Sequence, residues 1–120
     1  MPTRLSLASG PILAERVSWA RTPVERARGL LGRAPLEPGE CLVIVRGTQV
    51  HTLGMAYPID VLFCGRDWIV LHVLRGLRPW RASRWVRGAR FIVELPSGVL
   101  PGDVRRGDRV VAERSPAGDP

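Results

Sequence analysis

The pair His51-Thr52, followed closely by Gly54, brings an imidazole and a hydroxyl together in an otherwise apolar part of the chain. Such a pair can hold an anion, or its two groups can act as acid and base. It also has a structural interpretation, because the hydroxyl of Thr52 can close a turn and His51 can pair with a buried carbonyl. No nucleophile motif accompanies the pair, so the structural interpretation is favoured.

Asp60 and Glu94 each interrupt a run of apolar residues that reads as a strand. A carboxylate is seldom fully buried without a partner. Because the chain carries 18 basic residues, all of them arginine, arginine or backbone-amide partners are expected for both carboxylates. If the two converged on one site, acid/base chemistry or a metal would be the alternative. The sequence does not place one relative to the other.

A second group of residues has the chemistry of a zinc site but not its spacing. Structural zinc sites usually contain pairs of ligands a few residues apart. The four candidate ligands here are separated by ten, thirteen and eight positions: Cys41, His51, Cys64 and His72. We therefore expect no metal and no other cofactor, and we expect the two cysteines to pack in the core. Phosphate-binding glycine loops, dinucleotide fingerprints and hydrolase nucleophile motifs are also absent from the sequence.

Arginine recurs at every third position over one segment, with Pro79, Trp80 and Trp85 interspersed. The series comprises Arg75, Arg78, Arg81, Arg84, Arg87 and Arg90. A polyproline helix would place all six on one edge. The segment could then be a basic ribbon with stacking rings that binds nucleic acid or an acidic protein. No known nucleic-acid module is present. The favoured interpretation is a solvated loop whose tryptophans pack onto the core.

One helix is predicted, over Pro23–Leu31. Thr22 suits the N-cap, proline suits the first helical position, and Glu25 completes a capping box. An apolar stripe should pack this helix on a sheet; its members are Val24, Ala27, Leu30 and Leu31. Gly32 is placed to end the helix.

About seven short strands account for the remaining regular structure, separated by glycine- and proline-rich turns. The predicted strands are Thr3–Ala8, Ile12–Trp19, Cys41–Val45, Ile59–Cys64, Trp68–Leu74, Phe91–Leu95 and Arg109–Glu113. A mainly β fold is expected. Closing such strands into a small, complete or partly open barrel would remove exposed edges, and an open sheet with the helix on one face is the alternative.

The segment His51–Phe63 has the pattern His-Thr-x-Gly-Met-x-x-Pro-Ile-Asp-Val-x-Phe. This pattern resembles the signature of the bacterial family known as domain of unknown function 192. Thr22–Arg33, Glu94–Gly98 and Gly107-Asp108 resemble further landmarks of that family, and the resemblance covers roughly residues 19–111. It implies a compact, β-rich, barrel-like domain and no established activity.

Composition and charge set wider limits. A chain of 120 residues with an ordinary hydrophobic content fits one soluble domain, expected over residues 1–114 with a disordered tail at 115–120. Two cysteines do not make a disulfide framework. No signal-like or membrane-spanning run is visible, so a cytoplasmic location without membrane insertion is expected. The net charge of +7 favours contact with anionic partners.

Three hypotheses for function remain open. The leading one is a non-catalytic accessory domain that binds a small polar ligand or a partner segment. Its predicted binding residues are His51, Thr52, Met55, Tyr57, Asp60 and Glu94. The second is a hydrolase or isomerase that uses His51 as base with Asp60 or Glu94. The third is an electrostatic nucleic-acid binder that uses the arginine series.

Overall fold

Short apolar runs separated by glycine and proline turns fold into eight strands and one helix in a computed structural model that describes residues 2–114. The strands are β1 (Arg4–Leu7), β2 (Ile12–Ala14), β3 (Arg16–Ala20), β4 (Glu40–Val45), β5 (Ile59–Cys64), β6 (Val70–Leu77), β7 (Phe91–Pro96) and β8 (Val110–Glu113). The helix α1 spans Pro23–Arg28. The predicted tail at 115–120 lies outside the described residues.

The strands form two sheets and no closed barrel within residues 2–114, so the mainly β prediction is confirmed and the barrel is not. One sheet has the order β2-β1-β8, and the other has the order β3-β4-β7-β5-β6. The predicted strand Ile12–Trp19 is in fact two strands. The chain leaves the small sheet after Ala14 and enters the large one at Arg16, where β3 pairs in parallel with β4. One strand prediction therefore became two because its halves belong to different sheets.

The capping box of α1 is confirmed. The Thr22 hydroxyl accepts from the Glu25 amide at 3.1 Å, and the Glu25 carboxylate accepts from the Thr22 amide at 3.0 Å. The predicted length was wrong, since the helix ends at Arg28 with Gly29 as its C-cap. The predicted packing stripe was also wrong: no residue of α1 is buried, and Val24 is 77% exposed. Leu30, just beyond the helix, is buried in its place.

The large sheet is covered on both faces, which explains why β5 is buried along its whole length. One face packs against the small sheet; Leu62 and Cys64 of β5 join Leu5 and Val110 there. On the other face Val61 and Phe63 pack with Leu30, Val50 and Val86 from the connecting segments. We call these the inner and outer cores. Because side chains alternate along a strand, Asp60 lies on the inner-core face and Glu94 of β7 lies on the outer-core face.

Both cysteines are buried in the inner core and neither forms a disulfide. Burial raises the pKa of each thiol to about 12, so neither is a thiolate near neutral pH. No helix within residues 2–114 is long and apolar enough to cross a membrane.

Candidate functional site

A cavity of about 450 Å³ opens on the outer-core side of the large sheet. Its walls come from the end of α1 and the Gly29–Leu31 connection that follows it, from Ile44 of β4 and most of the connection after β4 (Arg46–His51, Leu53 and Met55), and from Trp85 in the segment before β7. Glu94 is the only carboxylate among the described residues that line it. We call this cavity the Glu94 pocket.

Strand pairing places the Glu94 side chain in this pocket. Glu94 is opposite Leu42 of β4 and Val61 of β5 in the central part of the sheet, and its residue is only 1% exposed. Gly29 borders the carboxyl group, since a Cβ built on Gly29 would lie in van der Waals contact with Oε1, at 3.4 Å. Gly29 also has φ +53°, a conformation that side-chain-bearing residues rarely adopt. The helix C-cap thus forms one wall of the pocket.

The carboxyl group of Glu94 lacks a protein partner for one of its oxygens. Within residues 2–114, Oε1 is buried and has no hydrogen-bond partner. Burial raises the pKa of Glu94 to about 8, and the charge of Arg33 acts in the opposite direction. At neutral pH the group is therefore mainly a neutral carboxylic acid, which can donate as well as accept a hydrogen bond.

Tyr57 lies within electrostatic range of Glu94. Burial raises the pKa of Tyr57, and the charge of Glu94 raises it further. Its hydroxyl is also buried and has no hydrogen-bond partner among the described residues. Native proteins satisfy most buried polar atoms, so the unpaired Glu94 oxygen in the lining marks this pocket as a candidate binding site.

The pocket is lined by basic groups as well as by apolar ones. Three arginines contribute to the lining: Arg26, Arg28 and Arg46. Two of them donate hydrogen bonds to backbone carbonyls. Arg26 Nη1 donates to the Val45 oxygen at 3.4 Å, and Arg28 Nε donates to the Leu31 oxygen at 3.0 Å. Within residues 2–114 no other hydrogen bond or ion pair engages the side chains of Arg26 and Arg28, so their remaining N–H groups can meet an anionic group of a ligand.

His51 lines the same pocket and is exposed. Its Nδ1 accepts a hydrogen bond from the Leu53 amide at 3.2 Å. In the neutral ring that bond places the proton on Nε2, which can donate to a ligand. The predicted pairing of His51 with a buried carbonyl is therefore not what the structure has.

The six predicted binding residues separate into two groups. His51, Met55 and Glu94 line the pocket; Tyr57 does not line it, although the charge of Glu94 acts on its hydroxyl. Thr52 and Asp60 do not line it. Sequence reasoning missed Gly29, Arg46 and Trp85; only Gly29 carried a signal, as part of the Thr22–Arg33 run.

Asp60 organises the backbone on the inner-core side. Its Oδ1 accepts from the Gly76 amide at 2.8 Å, and its Oδ2 accepts from the amides of Gly98 at 3.0 Å and Leu100 at 3.2 Å. We expected arginine or backbone-amide partners for Asp60, and the hydrogen-bond partners found are all backbone amides. Asp60 and Glu94 lie on opposite faces of one sheet, so the two carboxylates do not form a shared acid/base or metal site.

Thr52 fixes the segment that follows β6. Its side chain is fully buried, donates to the Arg78 carbonyl at 2.5 Å and accepts from the Arg81 amide at 3.0 Å. The Thr52 carbonyl accepts from the Trp80 amide at 2.9 Å. With these bonds made, the Thr52 hydroxyl has no role in the pocket, and the predicted His51-Thr52 unit does not act as a pair.

Replacing Thr52 by valine is expected to destabilise the protein by about 1–3 kcal/mol, because the Arg78 carbonyl and the Arg81 amide lose their partner. Urea denaturation monitored by circular dichroism would measure this. Ser18→Val removes an exposed hydroxyl from β3 and serves as the control. Equal stability of the two variants would contradict the role given to Thr52.

All six arginines of the series are exposed, and from residue 83 onward every third residue is buried: Ser83, Val86 and Ala89. The tryptophans do not pack onto the core as expected, since Trp80 is 65% and Trp85 is 66% exposed. The segment pairs with the 48–52 strip through backbone bonds, such as that from the Ser83 amide to the Val50 carbonyl at 2.8 Å. The three-residue period thus separates a buried edge from an exposed basic face.

The four residues considered as zinc ligands, for which no metal was expected, do not come together. Cys41 and Cys64 lie in the inner core, whereas His51 lies at the Glu94 pocket. Within residues 2–114 no three histidine, cysteine or acidic residues form a group that could hold a metal ion.

A family model described as "Uncharacterized ACR" (DUF192) matches residues 6–112. The chain belongs to this family. The resemblance inferred from the 51–63 pattern is thereby confirmed, over a longer stretch than the 19–111 expected.

Two archaeal relatives extend the DUF192 family beyond bacteria. A UPF0127 protein of Pyrococcus furiosus is 32% identical over 113 residues, covering 88% of this chain and 94% of the relative. A UPF0127 protein of Thermococcus sibiricus is 29% identical over 100 residues, covering 80% of this chain and 64% of the relative.

Two crystal structures share the fold of this DUF192 chain. A candidate transcription regulator of Sinorhizobium meliloti superposes with a TM-score of 0.76 at 24% identity, covering 91% of this chain and 90% of that one. A protein of unknown function from Novosphingobium aromaticivorans superposes with a TM-score of 0.73 at 21% identity, covering 90% of this chain and 83% of that one. At these identities the likeness concerns the fold alone.

Proposed function

We propose that this DUF192 protein is a non-catalytic accessory domain that binds a small polar ligand in the Glu94 pocket. The observation that carries the proposal is the carboxyl oxygen Oε1 of Glu94, which is buried in the lining of a cavity and has no hydrogen-bond partner among residues 2–114. A volume of about 450 Å³ lies in the range of small-molecule sites.

The lining indicates the chemistry of the ligand. A neutral Glu94 can donate to a carbonyl or accept from a hydroxyl or amide. Leu30, Ile44 and Met55 supply apolar surface, and the arginines favour a carboxylate or phosphate. The best match is a ligand with a hydrogen-bonding head, a short apolar middle and an anionic group. A short acidic peptide also has these features.

A thermal-shift screen of amino acids, sugar acids, nucleotides and short peptides would test the proposal. A ligand at a hundred times its dissociation constant stabilises the folded state by about 2.7 kcal/mol. Glu94→Leu removes the polar head contact and keeps the core apolar, so the shift should disappear. His51→Ala should reduce the shift in part.

Glu94→Gln provides the matched control, because it keeps a neutral hydrogen-bonding group of the same shape. We expect it to retain binding at neutral pH. A shift that survives in Glu94→Leu would place the ligand elsewhere. No shift of the wild-type protein with any compound would contradict a small-ligand function.

An enzyme is the second candidate, and one observation favours it: His51 and Glu94 line the same pocket. An imidazole and a protonated carboxyl in one cavity can serve as base and acid. The alternative enzyme hypothesis, in which His51 acts with Asp60, loses support because the Asp60 carboxylate faces the inner core. Incubating each binding compound with the protein and following it by NMR would separate the candidates. Turnover that His51→Ala abolishes, with binding retained, would favour the enzyme.

A further inference from the structure

A second cavity, distinct from the Glu94 pocket, lies beside β6. This groove has a volume of about 460 Å³ and no carboxylate among the described residues that line it. Four arginines and one histidine contribute to it: Arg75, Arg84, Arg105, Arg106 and His72. We call it the arginine groove.

The arginines reach the groove from three separate parts of the chain, so its shape depends on the fold. Arg75 lies in β6 and binds the carbonyls of Leu100, Pro101 and Val104 at 3.3, 2.8 and 3.1 Å. These bonds hold the 100–104 turn against β6. The chain then continues directly into Arg105 and Arg106, and Arg84 arrives from the segment before β7. Arg75 is therefore a positioning residue, and the other three are available to a ligand.

The charge in the groove is not neutralised within the described part of the chain. None of Arg84, Arg105 and Arg106 has a carboxylate within 4 Å among residues 2–114, where Arg4 and Glu113 form the one ion pair. His72 does not add to the charge near neutral pH, because burial and then the charge of Arg84 lower its pKa. Three unpaired guanidinium groups around one cavity form a site for an anion with several charged oxygens.

Two exposed aromatic rings lie on the chain segment that supplies Arg84 to the groove, and one of them, Trp85, also lines the Glu94 pocket. Trp85 follows Arg84 directly, and Trp80 is held in a left-handed conformation with φ +62° by its bond to the Thr52 carbonyl. Such a conformation is uncommon for a bulky side chain and persists only where the surroundings impose it. The fold therefore keeps two large rings in solvent beside arginines instead of burying them.

We propose that this surface binds single-stranded nucleic acid, with phosphates in the arginine groove and bases stacked on Trp80 and Trp85. Guanidinium groups suit phosphate oxygens, and exposed indoles suit unstacked bases of any sequence. An acidic protein would use the charges but not the rings, and a duplex would keep its bases stacked. The proposed surface shares Trp85 with the Glu94 pocket, but it requires neither Glu94 nor the ligand proposed for that pocket.

Fluorescence anisotropy of the full-length protein with a labelled oligothymidylate and oligouridylate, over a series of KCl concentrations, tests this. Arg84→Gln with Arg105→Gln should lower the slope of log affinity against log salt by about 1.4, since each lost phosphate contact contributes about 0.7. Affinity at low salt should fall at least about tenfold. Trp80→Ala with Trp85→Ala should also weaken binding about tenfold or more and leave the salt slope unchanged.

Arg16→Gln with Arg66→Gln is the matched control, because it removes the same charge from exposed positions outside the groove. It should keep most of the affinity. Equal losses in both arginine pairs would mean attraction by net charge alone and would overturn the proposal. The same holds if a duplex or polyglutamate binds as tightly as the single strands, or if the tryptophan variants bind like the wild type. Circular dichroism of each variant verifies that it is folded.

Discussion

Replacing Asp60 by alanine is expected to destabilise the protein by more than about 4 kcal/mol, a large part of the 5–15 kcal/mol that holds a typical domain together. Its carboxylate accepts three backbone N–H groups, from Gly76, Gly98 and Leu100. Each hydrogen bond to a charged group contributes about 1.5–3 kcal/mol, and each buried donor left unpaired carries a further penalty. Asp60 is 1% exposed, so solvent cannot readily replace it.

Urea denaturation would measure the loss, with Asp67→Ala as the matched control. Asp67 is exposed and accepts one backbone N–H, from Ile69 at 3.1 Å, so its removal should cost about 1 kcal/mol. Asp60→Asn keeps the shape of the side chain but places an NH2 donor against backbone amides that are also donors. We therefore expect its stability to be close to that of Asp60→Ala. If Asp60→Ala matched Asp67→Ala in stability, the structural role of Asp60 would be disproved.

The second large effect is a loss of stability with rising pH that originates at Glu94. Its pKa is about 8 in the folded protein, against the ordinary value of 4.5. The folded state therefore keeps a proton that the unfolded state releases. The stabilising contribution is complete below pH 4.5 and is lost progressively as the pH rises through about 8. One pKa unit corresponds to about 1.4 kcal/mol, so the total loss is on the order of 5 kcal/mol.

Glu94→Gln isolates this effect, because the amide has nearly the same shape and does not titrate. Stability should be measured by urea denaturation at a series of pH values from about 4 to 9, the interval that brackets both pKa values. The wild type should lose stability relative to Glu94→Gln as the pH rises, and the difference should level off above the folded-state pKa. Parallel curves for the two proteins would show that Glu94 is not a buried neutral acid.

The same protonation affects binding at the pocket. A ligand that accepts a hydrogen bond from the protonated carboxyl group of Glu94 should bind more weakly above pH 8. Its affinity for the Glu94→Gln variant should stay constant over that range. The pH at which affinity falls would then report on Glu94 in the ligand-free protein.

Local sequence determined most of the elements. β5 has the bounds predicted for it, and the alternation of side chains on β5 and β7 is as expected, since a strand places successive residues on opposite faces. The N-terminus of α1 was also predictable, because a capping box uses residues only three positions apart. The 51–63 pattern identified the family, and the three-residue arginine period indicated an exposed basic face.

Tertiary structure decided the rest. The alternation of side chains along a strand showed which neighbours share a face with Asp60 on β5 and with Glu94 on β7. Only the pairing of β5 with β7 showed that Asp60 and Glu94 lie on opposite faces of the sheet. Helix α1 ended early and stayed exposed because the outer core is closed by Leu30 and by the 48–55 and 78–90 segments instead. Thr52 appeared to be a site residue, yet its partners lie 26 and 29 positions away.

The sequence by itself thus determined the elements, the family and which residues carry polar groups. The sheet order, the cover over each face and the surroundings of each polar group were decided only by contacts distant in the chain. Glu94 illustrates the reason. Whether a carboxyl group is a surface charge, a paired ion or a buried acid depends on its solvation and neighbouring charges, and those are set by elements far from it in sequence.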